Sequence, residues 1–400
     1  MRYLDHLFPT TRPKEGGSTA DLLEAAGYIK PISAGCIALM PLGRMVYEKV
    51  CVAFRDACVS SDFWEVSLPL LQNYSLWEES GRSEVFGRSL CTTTIGSGQK
   101  FVVNPTQEEA ALDLIRKASG FDRLPIRIFQ VGERIRNELR PAHGLIRTRT
   151  FFLGDIYSFS ADNNAEHEEI GRLENLFSTF LAWTGLTYNV GEYTPSHLGP
   201  PAFSYWVKSP MAQCVAHLCQ NCGRSYRFTQ GVPDRCPCCD SAIEDFPAVE
   251  LGDIMRSGTH LSAKMDVTPP NGQPVHVSLA GIGLGRLIQV LAEQYSDIRG
   301  LVWPRRMSPF DIHAVCAVGQ ETTMEQACAK LEHRGLSVIC DTRRVGLGRK
   351  LVDCDLIGIP TRLVFGKTHN ADQFEFSGRS ESQTRVGSVE DVTDLVNAAQ

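Results

Sequence analysis

The feature that most constrains the fold is a pair of strand-like segments joined by a polar turn. The first is RIFQVGERIR at 127–136, the second is RTFFLGDIYSF at 149–159, and NELRPAHGLIR lies between them. Both segments are rich in β-branched and aromatic residues, and a short polar connection that contains proline and glycine favours a hairpin. The sequence therefore predicts two neighbouring antiparallel strands.

The hairpin brings charged and aromatic side chains onto common faces. Because side chains alternate along a strand, we expect Arg136 and Glu138 to share one face. The second strand offers a matching set, which consists of Arg147, Phe151 and Asp155. Guanidinium groups make bidentate contacts with phosphate, and a carboxylate can accept a hydrogen bond from an exocyclic amine. These residues suit a nucleotide, although the same pattern is also consistent with an exposed hairpin of alternating charges.

A glycine turn, GIGLGR at 281–286, joins a strand-like run to an amphipathic helix. Glycine lets the backbone pass close to a ligand, and Arg286 is expected in the first turn of the helix, within reach of phosphate. The spacing is not that of a dinucleotide-binding fingerprint, and a βαβ unit does not surround it, which disfavours a Rossmann fold.

The remaining elements predict an α+β chain with a separate C-terminal domain. Helices are predicted at 38–60, after Pro105 and at 164–184. From about residue 310 strands and helices alternate, as in a small α/β domain. We place the boundary near Met307–Pro309, which gives domains at 1–307 and 308–400.

Composition limits the functional classes. The chain has 400 residues, 43% of them hydrophobic, and a formal net charge of −6, which argues against coating nucleic acid by bulk charge. Neither a membrane-length apolar run nor a signal peptide is expected from the sequence, and we therefore predict a cytoplasmic protein.

Four cysteines have the spacing of a metal site. Cys219 and Cys222 form one CxxC pair, and Cys236 and Cys239 form another. Two such pairs supply four thiolates for tetrahedral zinc, so we predict a structural zinc ribbon at about 215–243. A metal-free loop with reduced thiols is the alternative.

Together, the hairpin and the glycine turn resemble motifs 2 and 3 of class II aminoacyl-tRNA synthetases. Further segments resemble, in the same order, those of bacterial-type prolyl-tRNA synthetases: AAGYIKPISAGCIALMPLGRMV, WEVSLPLLQNYSLWEESGR, NPTQEEAALDLIR, LVWPRRMSPFDIHAV and DTRRVGLGRKLVDCDLIGIPTRLVFG. The resemblance covers nearly the whole chain. It implies a catalytic domain with an antiparallel sheet and flanking helices, and a C-terminal anticodon-binding-like α/β domain. The short ribbon stands where many members carry an editing insertion.

The resemblance also implies an activity. ATP and an amino acid would form an aminoacyl-adenylate and pyrophosphate, with Mg²⁺, and the aminoacyl group would pass to tRNA. Arg136 and Arg286 would be catalytic, Arg136 holding the α-phosphate and the amino-acid carboxylate. The implied ATP contacts are Arg136, Glu138 (adenine amine), Arg147 and Arg286 (outer phosphate) and Phe151 (adenine stacking). Thr106 and Glu108 would face the amino acid's ammonium group, and Arg140 would approach the acceptor end of tRNA. A homodimer is implied as well.

The amino-acid half of the site departs from the family pattern. The aligned positions are Ser204, Asp253 and Ala280, where other members usually have different residues. Ala280 enlarges the pocket and Asp253 adds negative charge, which suggests a larger or cationic amino acid. The alternative to tRNA charging is therefore a ligase that passes a non-proline amino acid to a small metabolite or a carrier protein. Near Lys350 the family's arginine–proline pair is replaced by Gly346 and Leu347, whereas Gly348 is retained.

Overall fold

The structure is a computed structural model, and it describes residues 2–7, 10–118, 123–194, 202–228, 232–270, 272–381 and 383–398. These residues form two compact units. One comprises Ser33–Cys36 and Cys51–Leu287, and the other comprises Met1–Ile32, Ile37–Val50 and Ile288–Gln400. Within the described ranges, a helix long and apolar enough to cross a membrane is not found.

Helices and strands are numbered in chain order. The helices are α1 (Thr19–Ala25), α2 (Pro41–Ser60), α3 (Tyr74–Glu79), α4 (Arg82–Phe86), α5 (Glu108–Ala118), α6 (Asn163–Thr184), α7 (His260–Lys264), α8 (Leu284–Gln294), α9 (Glu321–His333), α10 (Leu347–Ile357) and α11 (Val389–Ala398). The strands are β1 (Arg2–Tyr3), β2 (Ile29–Ser33), β3 (Cys36–Leu39), β4 (Trp64–Glu65), β5 (Leu71–Asn73), β6 (Cys91–Ile95), β7 (Gln99–Val103), β8 (Ile126–Ile135), β9 (Thr150–Ser160), β10 (Asn189–Thr194), β11 (Ala202–Lys208), β12 (Cys214–Cys219), β13 (Ser225–Phe228), β14 (Ile243–Gly258), β15 (His276–Gly283), β16 (Ser296–Asp297), β17 (Gly300–Leu301), β18 (Ile312–Cys316), β19 (Val338–Asp341), β20 (Thr361–Phe365), β21 (Phe374–Gly378) and β22 (Arg385–Gly387).

A nine-stranded sheet organises the first unit, in the order β11-β10-β13-β12-β14-β15-β9-β8-β4. The predicted hairpin is confirmed: β8 and β9 pair antiparallel with Gln130 opposite Asp155. The register continues through Gly281 of β15 to Asp253 of β14, so one row of residues crosses four strands. β14 has 16 residues, and one end pairs with the cysteine-bearing β12 while the other pairs with β15.

Local sequence sets the limits of the helices beside this sheet. α6 begins after Asp162, whose side chain accepts hydrogen bonds from the amides of Asn164 and Ala165, and it ends at Gly185 with a left-handed φ of 69°. α5 has two glutamates in its first turn and basic residues in its last turn, an order that favours the helix dipole. Apolar side chains including Trp77, Leu112 and Phe159 pack between the sheet and the short helices α3, α5 and α7. Burying each such side chain contributes about 2 kcal/mol.

The second unit contains a six-stranded sheet in the order β1-β19-β18-β20-β21-β22. Its strand–helix alternation agrees with the pattern predicted after residue 310. The N-terminal strand β1 pairs in parallel with β19, with Arg2 opposite Ile339. Asp5 accepts hydrogen bonds from the backbone nitrogen and hydroxyl of Thr342 at 3.1 and 3.0 Å. The predicted division at 307–309 is not tested by these contacts and stays a prediction.

Candidate active site

A cavity of about 280 Å³ lies over the middle of the nine-stranded sheet, entirely within the first unit. Its lining combines side chains from β9, β14 and β15 with residues at the ends of β8 and at the starts of α4, α5 and α8. The sequence-predicted residues that line it are Thr106, Glu108, Arg136, Glu138, Arg147, Phe151, Asp155, Asp253, Ala280 and Arg286. Residues of the hairpin and of the glycine turn therefore line the same cavity.

Two arginines that the sequence predicts, Arg136 and Arg286, line the cavity. The side chain of Arg136 lies over the ring of Phe151, 5.1 Å from the ring centroid, and its Nε donates to the carbonyl of Pro105 at 3.0 Å. Arg286 donates from Nε to the carbonyl of Ile146 at 2.9 Å. Burial and the positive charge of Arg286 lower the pKa of Arg136. The two positive charges repel each other, and an anion bound between the two guanidinium groups would relieve that repulsion.

Glu138 and Arg147 bind each other at the rim of the cavity. Arg147 Nη2 lies 2.8 Å from Glu138 Oε1, and the backbone nitrogen of Arg140 donates to the same oxygen at 2.7 Å. The hydrogen bond from Arg147 lowers the pKa of Glu138. Both residues lie beyond the strand ends, since β8 stops at Ile135, yet they face the cavity together as the sequence predicts.

A third arginine in the lining, Arg82, is buried and binds two carboxylates. Arg82 Nη1 lies 2.9 Å from Glu109 Oε1 and 3.2 Å from Glu108 Oε2. The hydroxyl of Thr106 donates to Glu108 Oε2 at 2.5 Å. Gln72 holds the backbone here, because its Nε2 donates to the carbonyl of Thr106 at 2.7 Å. Thr106 and Glu108 thus offer a hydroxyl and a carboxylate that a cationic group in the cavity can approach.

Two carboxylates in the cavity lining, Asp155 and Asp253, lie on the strands on either side of Gly281. A Cβ atom on Gly281 would lie 3.8 Å from Asp155 Oδ1 and 3.9 Å from Asp253 Oδ1. Arg134 donates to Asp155 Oδ2 from Nε at 2.9 Å and also from Nη2. Gly252 is fixed by packing, since a Cβ atom there would lie 2.2 Å from the carbonyl oxygen of Gly281.

Two predicted residues lie outside the cavity lining. Ser204 is fully buried, and its Oγ donates to Glu250 Oε1 at 2.9 Å, so it sits behind the wall rather than in the pocket. Arg140 is exposed on the turn between β8 and β9.

Sequence reasoning missed three functional candidates, which are Arg82, Arg134 and Glu250. Glu250 lines the cavity beside Arg286, whose Nη1 donates to its carbonyl at 3.1 Å. Arg134 stands two residues before Arg136, and strand alternation could have placed it on the same face. Arg82 comes from a separate segment, and its sequence neighbours carry no signal of its partners.

The four predicted cysteines converge at the far end of the sheet. The Sγ atoms of Cys219, Cys222, Cys236 and Cys239 lie within 4.8 Å of one another. Cys219 and Cys239 are 3.5 Å apart, and Cys222 and Cys236 are 3.6 Å apart. Four thiolates around zinc stand about 3.8 Å apart when each Zn–S bond is about 2.3 Å, so this donor set fits the metal. Cys238 is exposed and is not part of the group.

Comparison with known families identifies the class of this site. The family described as the tRNA synthetase class II core domain (G, H, P, S and T) matches residues 92–295, and the anticodon binding domain family matches residues 313–398. The chain belongs to the class II tRNA synthetase core family.

The similar curated proteins are proline–tRNA ligases. The one from Sulfurimonas denitrificans is 28% identical over 404 residues, covering 92% of this chain and 92% of its own length. The probable mitochondrial proline–tRNA ligase of Schizosaccharomyces pombe is 28% identical, covering 87% of this chain and 86% of its own. A crystal structure of prolyl-tRNA synthetase from Cryptosporidium parvum, complexed with L-proline and AMP, is 17% identical with a TM-score of 0.74, covering 95% of this chain and 78% of that one. The fold predicted from sequence is thus confirmed.

Proposed function

We propose that this chain activates proline with ATP and transfers the prolyl group to tRNA(Pro). The observation that carries the proposal is that one cavity is lined by two arginines, Arg136 and Arg286, and by a hydroxyl and a carboxylate, those of Thr106 and Glu108. ATP and an amino acid present the complementary pattern, with phosphates that face the arginines and an ammonium group that faces the carboxylate. The proline–tRNA ligases similar to this chain support the identity of the amino acid.

In the ATP half, Arg136 would hold the α-phosphate and the amino-acid carboxylate, and Arg147 and Arg286 the outer phosphates. Phe151 would stack on adenine and Glu138 would accept a hydrogen bond from its amine. Glu138 and Arg147 bind each other at 2.8 Å, so ATP would replace that ion pair with two contacts of its own. Neither side chain would lose an interaction in this exchange, because Glu138 would keep a hydrogen-bond donor and Arg147 would keep a negatively charged partner.

The reaction then needs positioning and charge neutralisation rather than a protein nucleophile. A carboxylate oxygen of proline attacks the α-phosphorus, and the bond between that phosphorus and the bridging oxygen breaks, so pyrophosphate leaves with the electron pair. Arg136 would bind both reactants and hold them in line, while Arg286 would stabilise charge on the departing phosphates. Mg²⁺, when bound, would neutralise phosphate charge.

In the amino-acid half, Thr106 and Glu108 would receive the ammonium group of proline. Asp253 and Ala280 form the part of the wall that departs from the family pattern, and both line the cavity. Proline remains the proposed substrate, since the similar proteins named for it are aligned along both domains. A non-proline ligase with a metabolite or carrier-protein acceptor is not favoured for the same reason.

The tRNA would contact both domains. Arg140 is exposed beside the cavity and would approach the acceptor end, and residues 313–398 would bind the anticodon region. A cytoplasmic location, where ATP and tRNA are present, is part of the proposal. A homodimer is also part of it, supported by exposed apolar residues in the first unit: Val52, Val59 and Trp64, the last 78% exposed.

We further propose that the four cysteines bind one structural zinc ion. All four coordination positions would be filled by protein, so the metal would stabilise the ribbon without taking part in the reaction. Tyr226 supports the set from outside, with its hydroxyl oxygen 3.3 Å from Cys236 Sγ.

ATP–pyrophosphate exchange across the twenty amino acids, followed by charging of total tRNA, tests the proposal. We expect exchange with proline and transfer of labelled proline to tRNA. Exchange with a different amino acid would overturn the proline assignment, and exchange without tRNA charging would overturn the acceptor assignment.

A further inference from the structure

We propose that Arg82 and Glu109 act as a positioning pair that sets the charge and orientation of Glu108. This inference rests on the proposed function, because it requires an amino acid to bind with its ammonium group beside Thr106 and Glu108. Arg82 and Glu109 do not contact the substrate in this account. They act through Glu108.

One guanidinium group is shared between two adjacent carboxylates. Arg82 Nη1 lies 2.9 and 3.0 Å from the two oxygens of Glu109, whereas it lies 3.2 Å from Glu108 Oε2. The side chains of Arg82, Glu108 and Glu109 are 5%, 9% and 0% exposed. Water therefore screens these charges weakly, and the closer carboxylate takes the larger share of the positive charge.

The two glutamates face different surroundings. Glu108 lines the cavity, and its Oε2 accepts the Thr106 hydroxyl. Glu109 is absent from the cavity lining, and its Oε1 accepts a hydrogen bond from Ser80 Oγ at 2.9 Å. Glu109 thus holds Arg82 from the protein side, and Glu108 meets the substrate side.

The charges of this group do not cancel. With both carboxylates ionised, two carboxylates and one guanidinium leave one excess negative charge, which is costly when buried. Burial and the charge of Glu108 raise the pKa of Glu109, whereas the charge of Arg82 and its two contacts with Glu109 favour the ionised form. Burial favours the neutral form of Glu108, but the positive charge of Arg82 and the Thr106 hydroxyl outweigh it and lower the pKa of Glu108. An ammonium group supplies the missing positive charge, which makes an ionised Glu108 the attractive partner.

Aromatic rings hold the guanidinium in place. Arg82 Cζ lies 5.1 Å from the centroid of Phe86 and 5.5 Å from that of Trp77. Trp77 is itself fully buried and donates from Nε1 to Gln72 at 2.7 Å, the residue that also binds the carbonyl of Thr106. One connected network therefore fixes both partners of the ammonium group.

Replacement of Glu109 by glutamine tests the inference. In Glu109→Gln the full charge of Arg82 falls on Glu108, so the ammonium group meets a neutralised carboxylate. We expect the KM for proline in pyrophosphate exchange to rise by about tenfold, with the KM for ATP within about twofold of the parent. The matched control is Asp113→Asn on the same helix, whose carboxylate binds Lys117 and Arg116 away from the cavity and whose loss should leave both constants unchanged.

Two double variants separate charge from packing. Arg82→Gln with Glu109→Gln removes one charge of each sign, and we expect the KM for proline to return to within about threefold of the parent. In a Glu108→Gln background, Glu109→Gln should have little further effect on that constant, because the group through which it acts is gone. Thermal unfolding of each variant identifies any that fail to fold.

The outcomes distinguish this inference from the proposed function. If the parent chain exchanges pyrophosphate with none of the amino acids, the proposed function fails. If exchange occurs and Glu108→Gln raises the KM for proline, but Glu109→Gln leaves it unchanged or raises the KM for ATP equally, the positioning pair is refuted. Additive effects of Glu108→Gln and Glu109→Gln on the KM for proline would refute the positioning pair as well.

Discussion

Phe151 presents an aromatic face to the cavity, and Arg136 already covers part of it. The guanidinium carbon lies 5.1 Å from the ring centroid, within the range of a cation–π contact. Adenine would therefore stack on the ring's other face, or the arginine would shift toward the α-phosphate. The sequence predicts that both residues share a site, but the contact between them follows from the position of Pro105, which binds the same guanidinium.

Phe151→Leu tests the stacking role. Loss of base stacking should raise the KM for ATP by about tenfold, while the KM for proline changes by less than about twofold. Phe151→Tyr keeps the ring and should behave like the parent. Steady-state pyrophosphate exchange at varied ATP gives the constants, and an unchanged KM for ATP in Phe151→Leu would show that adenine lies elsewhere.

His313 makes the second unit sensitive to acid. Burial lowers its pKa from 6.5 to about 4, and both ring nitrogens lack hydrogen-bond partners among the described residues. Because the unfolded chain takes up a proton below pH 6.5 and the folded chain does so only near pH 4, stability is present above pH 6.5 and falls as the pH drops to about 4. The loss should approach about 3 kcal/mol.

Denaturant unfolding between pH 7 and pH 4 measures this loss. His313→Leu lacks the titrating group and should lose less stability over the same interval than the parent. If the free energy of unfolding fell equally with pH in the parent and the variant, groups other than His313 would cause the acid sensitivity.

At the scale of elements, β14 connects the cysteine cluster to the cavity. Ile243 pairs with Cys219 at one end of the strand, and Glu250, Gly252 and Asp253 line the cavity further along. A metal that fixes the start of β14 would therefore also fix the register of the wall that carries these residues. The CxxC spacing predicts the cluster, whereas its position beside the first residue of the strand that forms the cavity wall appears only in the structure.

Cys222→Ser and Cys238→Ser form a matched pair, because both cysteines are exposed and lie in the same ribbon. We expect Cys222→Ser to lose bound zinc and to show faster amide exchange in β12 and the first half of β14. Cys238→Ser should keep about one zinc per chain. Elemental analysis and hydrogen exchange give both readouts, and equal zinc content in the two variants would contradict the four-cysteine assignment.

Much of the element order was predictable because local signals are strong where the helices and strands occur. The hairpin, the helix at 163–184 and the strand before Leu284 lie within a residue or two of their predicted limits. The run FWEVSLPLL looks like one strand, but it is divided: Trp64–Glu65 pairs with β8 and Leu71 begins β5, with Pro69 between them. Arg82 escaped prediction because its partners lie 26 and 27 residues away, and such contacts have no local periodicity.

At the scale of the whole molecule, both compact units combine distant segments of the chain. Strand β1 enters the six-stranded sheet beside β19, over 330 residues away in sequence, and the Tyr3 hydroxyl donates to Glu325 at 3.0 Å. The sequence pattern does not predict a strand at Arg2 and Tyr3, because a strand of two residues carries too little periodicity to be recognised. The cavity, by contrast, lies within one unit, and its residues come from motifs that sequence reasoning could locate.

Trapping of the prolyl-adenylate with hydroxylamine tests whether this chain activates proline with ATP. The chain is incubated with ATP, Mg²⁺, proline and hydroxylamine, and the proline hydroxamate is quantified beside an Arg136→Gln variant. We expect the parent to form proline hydroxamate and equimolar AMP only when ATP is present. We expect the variant to form about a hundredfold less hydroxamate. Absence of proline hydroxamate from the folded parent chain, or its undiminished formation by Arg136→Gln, would contradict the account.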